Sequence, residues 1–404
     1  LGLAGFFAAH PSLAVPCLLA PASAHYSWSK GAKLFGLGRA QLRTVPLRGM
    51  RMDADALEAI LEDCLARRQP VLMAVGVLGT TEFGTIDPID ALVDARDRFA
   101  ARGLGFGVHV DAAWGGYLAT LFREPDGRLR PREDVRADFA YFPSAEVHGA
   151  FAALARTDSV TVDPHKLGYL PYGAGAFVCR DQRAADLLAE DADYVFDGAD
   201  APGYFARFRQ LGRYMVEGSK SGASAAGVYV THQVLPLHHA QFGRIPRQTI
   251  RAAEHFHDAV GRLSERLAGQ VRLCLPYVPD TNLVCLAINP EGNRDVARMN
   301  AFVRALHAEL RCEPDVPLQA HEFFGSLTTL RREALGEEET ADLLAYLGLD
   351  PATLDPASED ADRIVILRHT LMNPFLIDSE NGINYIDRYL DFLARRLGDA
   401  RLAA

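Results

Sequence analysis

The chain is predicted to fold as an α/β protein with a mostly parallel sheet, helices on both of its faces and a small C-terminal α/β domain. Segments of strand and helix character alternate from Leu18 to about Ala155, which is typical of parallel sheets. The stretch from Pro70 to Leu78 is almost continuously apolar, as a strand covered on both faces requires. A second alternation of strand and helix begins after Arg272, so we predict two domains, residues 1–270 and 271–404.

Composition narrows the class of protein. The 404 residues are enough for one large and one smaller domain with ample core, and the net charge of -10 argues against nonspecific nucleic-acid binding. The six cysteines are scattered and have no metal-ligand spacing, so we expect reduced thiols in a cytoplasmic enzyme. No stretch is long and apolar enough to predict a bilayer span.

The N-terminal segment is similar to a signal peptide. Its first 24 residues are apolar and end in Pro21-Ala-Ser-Ala24, but a basic start is lacking. We therefore expect an internal helix, loop and strand. Because the first residue is Leu1, we expect a fragment or a processed chain.

Hydrophobic periodicity and turn residues place the individual elements. Strands are expected at residues 18–20, 44–47, 70–78, 106–111, 159–162, 174–179, 283–288 and 364–370. Helices are expected at 27–35, 53–68, 87–102, 139–155, 181–190, 250–268, 298–310 and 384–397. Surface loops are expected at 124–138, 191–203 and 351–360.

Lys166 is the first candidate for chemistry. It follows the predicted strand 159–162, which we expect to be buried, so it lies at the mouth of a strand. An amine can bond covalently to a carbonyl carbon, whereas a guanidinium cannot because it keeps its proton. An apolar strand end would favour a nucleophilic amine. The alternative is a surface lysine after a turn. The remaining lysines of the chain are Lys30, Lys33 and Lys220.

Asp111 is the second candidate. It ends a predicted buried strand and is followed by Ala-Ala and Gly-Gly, whose small size leaves room for a flat ring. A carboxylate at this point would keep a pyridine nitrogen protonated, as a pyridoxal cofactor needs. The alternative is an aspartate that caps a turn. Asp111 and Lys166 together favour the cofactor site.

The motifs around these residues resemble the group II pyridoxal-phosphate-dependent amino-acid decarboxylases, and among them bacterial tyrosine decarboxylases. The similarity to tyrosine decarboxylases rests on the surroundings of Tyr172, Tyr194 and residues 234–237. The resembling motifs follow the family's order over nearly the whole chain: His25-Tyr-Ser-Trp-Ser-Lys30, Gly79-Thr-Thr81, His109-Val-Asp-Ala-Ala-Trp-Gly-Gly116, Asp163-Pro-His-Lys-Leu-Gly-Tyr-Leu-Pro-Tyr172, Glu217-Gly-Ser-Lys-Ser-Gly-Ala-Ser-Ala-Ala226 and Leu367-Arg-His-Thr-Leu-Met-Asn-Pro374.

The resemblance implies the fold-type-I architecture, the cofactor pyridoxal 5'-phosphate and a lyase that converts an L-amino acid into its amine and carbon dioxide. It implies that Lys166 carries the cofactor, Asp111 contacts the ring nitrogen and His25 stacks on the ring. The substrate carboxylate is assigned to Arg368. Further cofactor contacts are assigned to Ala113, His165, Thr81 and Ser219, with His165 near the phosphate.

The resemblance also implies a tyrosine on a mobile loop that protonates the product carbon. Tyr194 lies at about the family's distance from Lys166, and Tyr172 is the alternative. Relatives form homodimers with the active site at the interface, so we expect the segment 217–226 to lie there.

This chain departs from the family in one respect. The family's Gly-Ser-Thr phosphate loop lies upstream of the stacking histidine, and this sequence has no counterpart of it. Complete activity and tight cofactor binding in this chain are therefore open. An aromatic substrate, L-tyrosine above all, is expected. The alternatives are a glutamate or aspartate decarboxylase, or a non-catalytic homologue that acts as a dimerisation partner.

Overall fold

The computed structural model describes residues 2–190, 212–217, 220–312 and 316–398. Its strands are β1 (Cys17–Pro21), β2 (Leu42–Val45), β3 (Leu47–Arg48), β4 (Arg51–Met52), β5 (Val71–Val77), β6 (Gly107–Ala112), β7 (Ser159–Val162), β8 (Ala176–Cys179), β9 (Val271–Cys274), β10 (Leu283–Pro290), β11 (Ser326–Leu330), β12 (Ile364–Thr370), β13 (Ile377–Asp378) and β14 (Ile383–Asn384).

The α-helices of the described residues are α1 (Leu3–Ala9), α2 (Ser27–Leu34), α3 (Ala54–Ala66), α4 (Ile89–Ala100), α5 (Arg132–Arg136), α6 (Ala145–Ala153), α7 (Ala223–Val234), α8 (Arg244–Arg266), α9 (Val296–Ala308), α10 (Arg332–Leu335), α11 (Glu337–Leu347) and α12 (Tyr385–Leu397). The ends of several helices follow from capping residues. The Asp53 carboxylate, for example, accepts the backbone N–H groups of Asp55 and Ala56 at the start of α3.

A six-stranded sheet in the order β2-β1-β5-β6-β7-β8 forms the first layer. All neighbouring pairs are parallel except β7 with β8. This confirms the predicted α/β fold with a mostly parallel sheet and helices. The strand β1 comes from the segment that is similar to a signal peptide, and it is buried between β2 and β5.

Alternation along the strands divides the sheet into an apolar and a polar face. Val108, Val110 and Ala112 of β6 point into the core that α3, α4 and α6 complete. His109 and Asp111 point to the opposite face, where Asp111 is in register with Thr161 of β7. The polar side chains of neighbouring strands therefore meet on one face.

A second sheet, antiparallel and in the order β11-β12-β10-β9, is built from residues after 270. Its hydrophobic core includes the buried faces of α9, α11 and α12. Helix α8 joins the two cores, since Ile250 belongs to the first and Phe256 to the second. The boundary at residue 270 stays a prediction.

Several elements differ from those expected. The predicted loop 124–138 contains α5, and the buried Arg130 orders it by donating hydrogen bonds to the Leu121 and Asp134 carbonyls at 2.8 and 3.0 Å. The predicted helix 139–155 begins only at Ala145, because Pro143 disfavours helix before it and Ser144 caps the first turn. Residues 182–187 form a 3₁₀ helix instead of an α-helix.

Other differences concern elements that were not predicted and the burial of β7. Helix α8 begins six residues earlier than expected, and β9, β11 and α11 had not been expected. Strand β7 is half-buried and not buried, because Ser159 and Thr161 face a cavity. No helix within the described part of the chain combines the length and apolar character needed to cross a membrane.

Candidate active site

A cavity of about 550 Å³ opens on the polar face of the first sheet, at the carboxyl ends of β5, β6 and β7. Five of the residues that the sequence predicted line it together: His25, Thr81, Asp111, Ala113 and Lys166. They come from separate parts of the chain. The crossover topology brings them to one place, as is usual at the carboxyl edge of a parallel sheet.

Asp111 is held from two directions. Its Oδ2 accepts the indole N–H of Trp28 at 3.1 Å, and its Oδ1 accepts the backbone N–H of Ala113 at 3.2 Å. The carboxylate lies at the end of β6 and lines the cavity. It is an oriented acceptor at the position where the sequence predicted one.

Lys166 follows β7 in a tight turn. Its Nζ lies 3.0 Å from the Asp163 carboxylate, and its side chain is 34% exposed. The expected apolar setting is therefore wrong, because β7 presents polar residues to the cavity and the turn supplies a counter-ion. The amine nevertheless lines the same cavity as Asp111.

His109 forms part of the cavity floor, a role that the sequence reasoning missed. Its Nδ1 lies 2.8 Å from the Ser159 hydroxyl and its Nε2 3.1 Å from the Thr161 hydroxyl. Its ring stacks on Phe177 at 6.1 Å. Burial lowers the pKa of His109, which favours a neutral ring. The signal was present in the sequence, because His109 and Asp111 are two residues apart on one strand.

His25 lies at the cavity wall, just before α2. Its Nδ1 is 2.8 Å from the Ser27 hydroxyl, and its ring packs against Tyr26 with 4.2 Å between centroids. These contacts fix the imidazole at the edge of the cavity.

His165 and Tyr172 are not among the residues that line the cavity. The Nδ1 of His165 lies 2.9 Å from the Ala174 carbonyl oxygen, and its ring stacks on Tyr172 at 4.6 Å. Tyr172 is 88% exposed. Tyr194 and Ser219 lie outside the described residues.

Arg368 lies on β12, outside this cavity and beside a second one of about 400 Å³. Its guanidinium donates to the Thr81 carbonyl at 2.9 Å and to the Ser326 hydroxyl at 3.1 Å. Glu82 provides a carboxylate at 3.7 Å. Arg368 thus contacts the backbone of a residue that lines the first cavity.

The glycines after Asp111 serve close packing. A Cβ on Gly115 would lie 2.4 Å from the Leu78 carbonyl oxygen, and one on Gly116 would lie 2.7 Å from a Val162 methyl group. The expectation that both glycines make room for a ring is therefore wrong. Ala113 is the small residue that lines the cavity.

The donor set fits a pyridine-type aldehyde cofactor. Lys166 offers an amine for a carbonyl carbon, Asp111 offers a carboxylate for a ring nitrogen, and the rings of Trp28, His109 and Phe177 offer flat surfaces in the same cavity. The volume is in the range of small-molecule sites. Within the described ranges no cluster of His, Cys, Asp and Glu could hold a metal ion.

Two known domains match the chain. Residues 9–201 match the pyridoxal-dependent decarboxylase conserved domain, and residues 252–397 match the C-terminal domain of tyrosine decarboxylase. The chain therefore belongs to the pyridoxal-dependent decarboxylases, and its cofactor is pyridoxal 5'-phosphate. This confirms the family that the motifs had indicated.

Within this family the chain is similar to bacterial tyrosine decarboxylases. It is 34% identical over 375 residues to L-tyrosine decarboxylase of Levilactobacillus brevis, covering 90% of this chain and 58% of that one. It is 34% identical over 391 residues to L-tyrosine decarboxylase of Enterococcus faecalis, covering 94% and 61%. The chain thus spans about three fifths of the length of these relatives.

The fold is shared with solved structures. The crystal structure of Oryza sativa TDC with PLP and tryptamine aligns over 98% of this chain and 66% of that one, with a TM-score of 0.65. At 16% sequence identity the likeness shows the fold alone.

Proposed function

We propose that this protein decarboxylates an L-amino acid to its amine and carbon dioxide, with L-tyrosine or another aromatic amino acid as the substrate. The observation that carries the proposal is the shared cavity of Lys166 and Asp111: the amine lies in the turn after β7, and the oriented carboxylate lies on the neighbouring strand β6. The two matched domains support the reaction class, and the tyrosine decarboxylases among the relatives support the substrate.

When bound, pyridoxal phosphate supplies an electron sink for the bond that breaks. Lys166 would hold the cofactor covalently, and Asp111 would keep its ring nitrogen protonated. His25 would stack on the ring, and Ala113 would leave space beside it. Thr81, four residues after the end of β5, lines the same cavity.

Fewer residues can be assigned to the phosphate of the cofactor than to its ring. We assign His165 to the phosphate through its Nε2, since its Nδ1 is already engaged with Ala174. Ser219 lies outside the described residues, and its assignment rests on the motif. Helix α7 begins within this motif at Ala223, and backbone N–H groups at a helix N-terminus bind anions.

The lining of the cavity favours an aromatic over an acidic substrate. Trp28, Trp114 and Phe177 are among its lining residues. None of the lining residues that the structure describes is an arginine. A glutamate or aspartate side chain would need a basic partner of that kind. Arg368 is proposed for the substrate carboxylate, which requires its guanidinium to leave the Thr81 carbonyl.

A homodimer is proposed on the surface of helix α7. None of its twelve residues is buried, and Tyr229, Val230 and Val234 are exposed on it. Exposed apolar surface of this kind marks an interface. The helix lies next to the Lys166 turn, because a Cβ on Gly227 would lie 3.4 Å from Leu170. A second copy on α7 would therefore approach the cavity.

A cytoplasmic location is proposed as well. All six cysteines are free thiols, and Cys17 and Cys64 lie only 3.9 Å apart in the core without a bond. Such a pair of thiols fits a reducing compartment.

The function is tested by locating the cofactor and identifying the product. Borohydride reduction of the purified protein loaded with pyridoxal phosphate, followed by peptide mapping, should place the pyridoxyl group on Lys166. Attachment to Lys30, Lys33 or Lys220 would contradict the site. Incubation with a panel of amino acids should yield the amine of an aromatic one.

The same panel separates the alternatives. Amines from glutamate or aspartate alone would favour an acidic-substrate enzyme. A cofactor bond to Lys166 with no amine from any amino acid would favour the non-catalytic homologue. Lys166→Ala is the matched control, because it removes the amine and leaves Asp163 and the fold of β7 in place.

A further inference from the structure

The chain has two tryptophans, Trp28 and Trp114, and both line the cavity of the candidate site. Each indole N–H has one partner at 3.1 Å. Trp28 donates to the Asp111 carboxylate, whereas Trp114 donates to the side-chain oxygen of Asn282. The two residues thus form a natural pair for comparison, one bonded to a charged group of the site and the other to a neutral amide.

Trp28 packs against a residue of the cavity floor. It is the second residue of α2, and its ring packs against His109 with 5.4 Å between centroids. His109 is itself fixed by the Ser159 and Thr161 hydroxyls. The bond between Trp28 and Asp111 therefore joins α2 to the end of β6 across 83 residues of sequence.

The indole N–H constrains the orientation of the carboxylate. An indole N–H only donates, so it requires an acceptor on Asp111 Oδ2. The backbone N–H of Ala113 makes the same demand on Oδ1. Two donors on two oxygens hold the carboxylate in one orientation. One further donor, such as a protonated ring nitrogen, can still bind at the remaining lone pairs.

We propose that Trp28 is a positioning residue, whose indole N–H holds the Asp111 carboxylate in the orientation that receives the ring nitrogen of the cofactor. This inference rests on the proposed cofactor site. It assigns to the His25-Tyr-Ser-Trp-Ser-Lys30 motif a second contribution besides the stacking histidine, namely a donor for the carboxylate that is far away in sequence.

The test is the affinity for pyridoxal phosphate, measured without any amino-acid substrate. Trp28→Phe keeps an aromatic ring on His109 and removes the N–H. We expect the Kd for pyridoxal phosphate, followed by the absorbance of the bound cofactor, to rise about tenfold, because a hydrogen bond to a charged group is lost. An unchanged Kd would overturn the proposal.

A double-mutant cycle separates positioning from packing. In an Asp111→Asn background the charged acceptor is already gone, so Trp28→Phe should change the Kd by less than about twofold. An equal loss in both backgrounds would show that Trp28 acts through packing alone. If Trp28→Phe does not fold, benzothienylalanine incorporated in a Trp114→Phe protein replaces the N–H by sulfur at nearly constant shape, and the same expectations apply.

Fluorescence provides an independent readout. In Trp114→Phe, Trp28 is the sole tryptophan. Its emission, excited at a wavelength that tyrosine does not absorb, should fall as pyridoxal phosphate fills the cavity, with the midpoint found by absorbance. Unchanged emission at saturation would place the cofactor away from Trp28 and overturn the proposal. Failure of the unmodified protein to bind any cofactor would overturn the proposed function too, whereas tight binding that ignores Trp28 would overturn this inference only.

Discussion

Asp111 and Lys166 show how the chemistry depends on what surrounds a side chain. Asp111 has a donor on each oxygen, so the direction of its carboxylate is set before a ligand enters. Lys166 has a carboxylate partner at 3.0 Å and partial contact with solvent. At the scale of residues, then, the site combines a fixed acceptor with an amine that must leave Asp163 to react.

The Asp111→Asn variant should lose turnover and keep its stability. The amide fills the same volume and can still accept from Trp28, but it cannot balance a protonated ring nitrogen. We expect decarboxylation to fall by about two orders of magnitude or more, and the thermal midpoint to stay within a few degrees. Parallel activity assays and thermal melts measure both. Unchanged turnover would mean that the ring lies elsewhere.

The Tyr194→Phe variant tests the proposed proton donor, which the motif alone supports because Tyr194 lies outside the described residues. A phenol can supply the proton that the product carbon takes up after carbon dioxide leaves. Without the hydroxyl, we expect cofactor binding to persist, amine formation to fall and carbonyl by-products to rise in mass spectrometry. Tyr172→Phe is the matched control. A wild-type amine yield in Tyr194→Phe would transfer the role to Tyr172.

At the scale of elements, β12 combines a candidate substrate residue with a buried structural one. Arg368 points towards Thr81 of the first layer, while the next residue, His369, points into the second core. The Nε2 of His369 lies 2.7 Å from the Tyr389 hydroxyl, and its Nδ1 lies 3.1 Å from the Val284 carbonyl. A neutral ring that donates from Nδ1 satisfies both partners.

His369 should make the protein less stable in acid. Burial lowers the pKa of His369 from 6.5 to about 4, so between these pH values the unfolded chain binds a proton that the folded one does not. Stability should therefore fall as the pH drops from about 6.5 to 4. At about 1.4 kcal/mol per pH unit, the loss amounts to about 3 kcal/mol.

Urea titrations of the parent protein and His369→Gln at a series of pH values measure this contribution. We expect the variant to be less stable at neutral pH and to lack about 3 kcal/mol of the fall between pH 6.5 and 4. Comparison with the parent removes the contributions of His109 and His232, whose pKa values burial also lowers. Parallel pH profiles for the two proteins would contradict the assignment.

At the scale of the whole molecule, a partly buried ion pair joins the two cores. The Arg51 guanidinium binds both oxygens of Asp280 at 2.7 Å, and the Ile86 backbone N–H donates to the same carboxylate at 3.0 Å. Asp280 is buried and precedes β10 of the second sheet, whereas Ile86 belongs to the first core. The position of the second sheet against the first thus depends in part on this contact.

Asp280→Asn should destabilise the molecule as a unit. The amide leaves Arg51 without its counter-ion, and because Arg51 keeps some contact with water we expect a loss of about 2–3 kcal/mol. Chemical denaturation followed by circular dichroism measures it. Asp360→Asn is the control, since its ion pair with Arg304 is on the surface at 3.8 Å and should be worth well under about 1 kcal/mol. Equal effects of both variants would contradict the role of the buried pair.

The proposed dimer is also a property of the whole molecule. Val230→Asp with Val234→Asp places two charges on the exposed face of α7, and we expect the molar mass from light scattering to fall from two chains to one. Tyr346→Asp, on the exposed face of α11, is the control and should leave the mass unchanged. A dimer that survives the α7 substitutions would place the interface elsewhere.

The sequence by itself determined the α/β class, the strands of the first sheet and the family, because these depend on local patterns. Apolar runs of strand length, caps such as Asp53 and motifs around Asp111 and Lys166 are readable in order along the chain. Helix α5 and strand β11 were missed, because their stability comes from partners distant in sequence or from a buried arginine.

Tertiary structure alone decided which side chains of the site touch. The bond from Trp28 to Asp111 spans 83 residues, and the contact from Arg368 to Thr81 spans 287. Such contacts depend on crossover topology and strand register, which a linear pattern does not specify. The sequence predicted an apolar setting for the Lys166 amine, but the fold places the polar side chains of β7 and its following turn at the cavity, with Asp163 3.0 Å from the amine. Which face of a strand is buried is a property of the assembled fold.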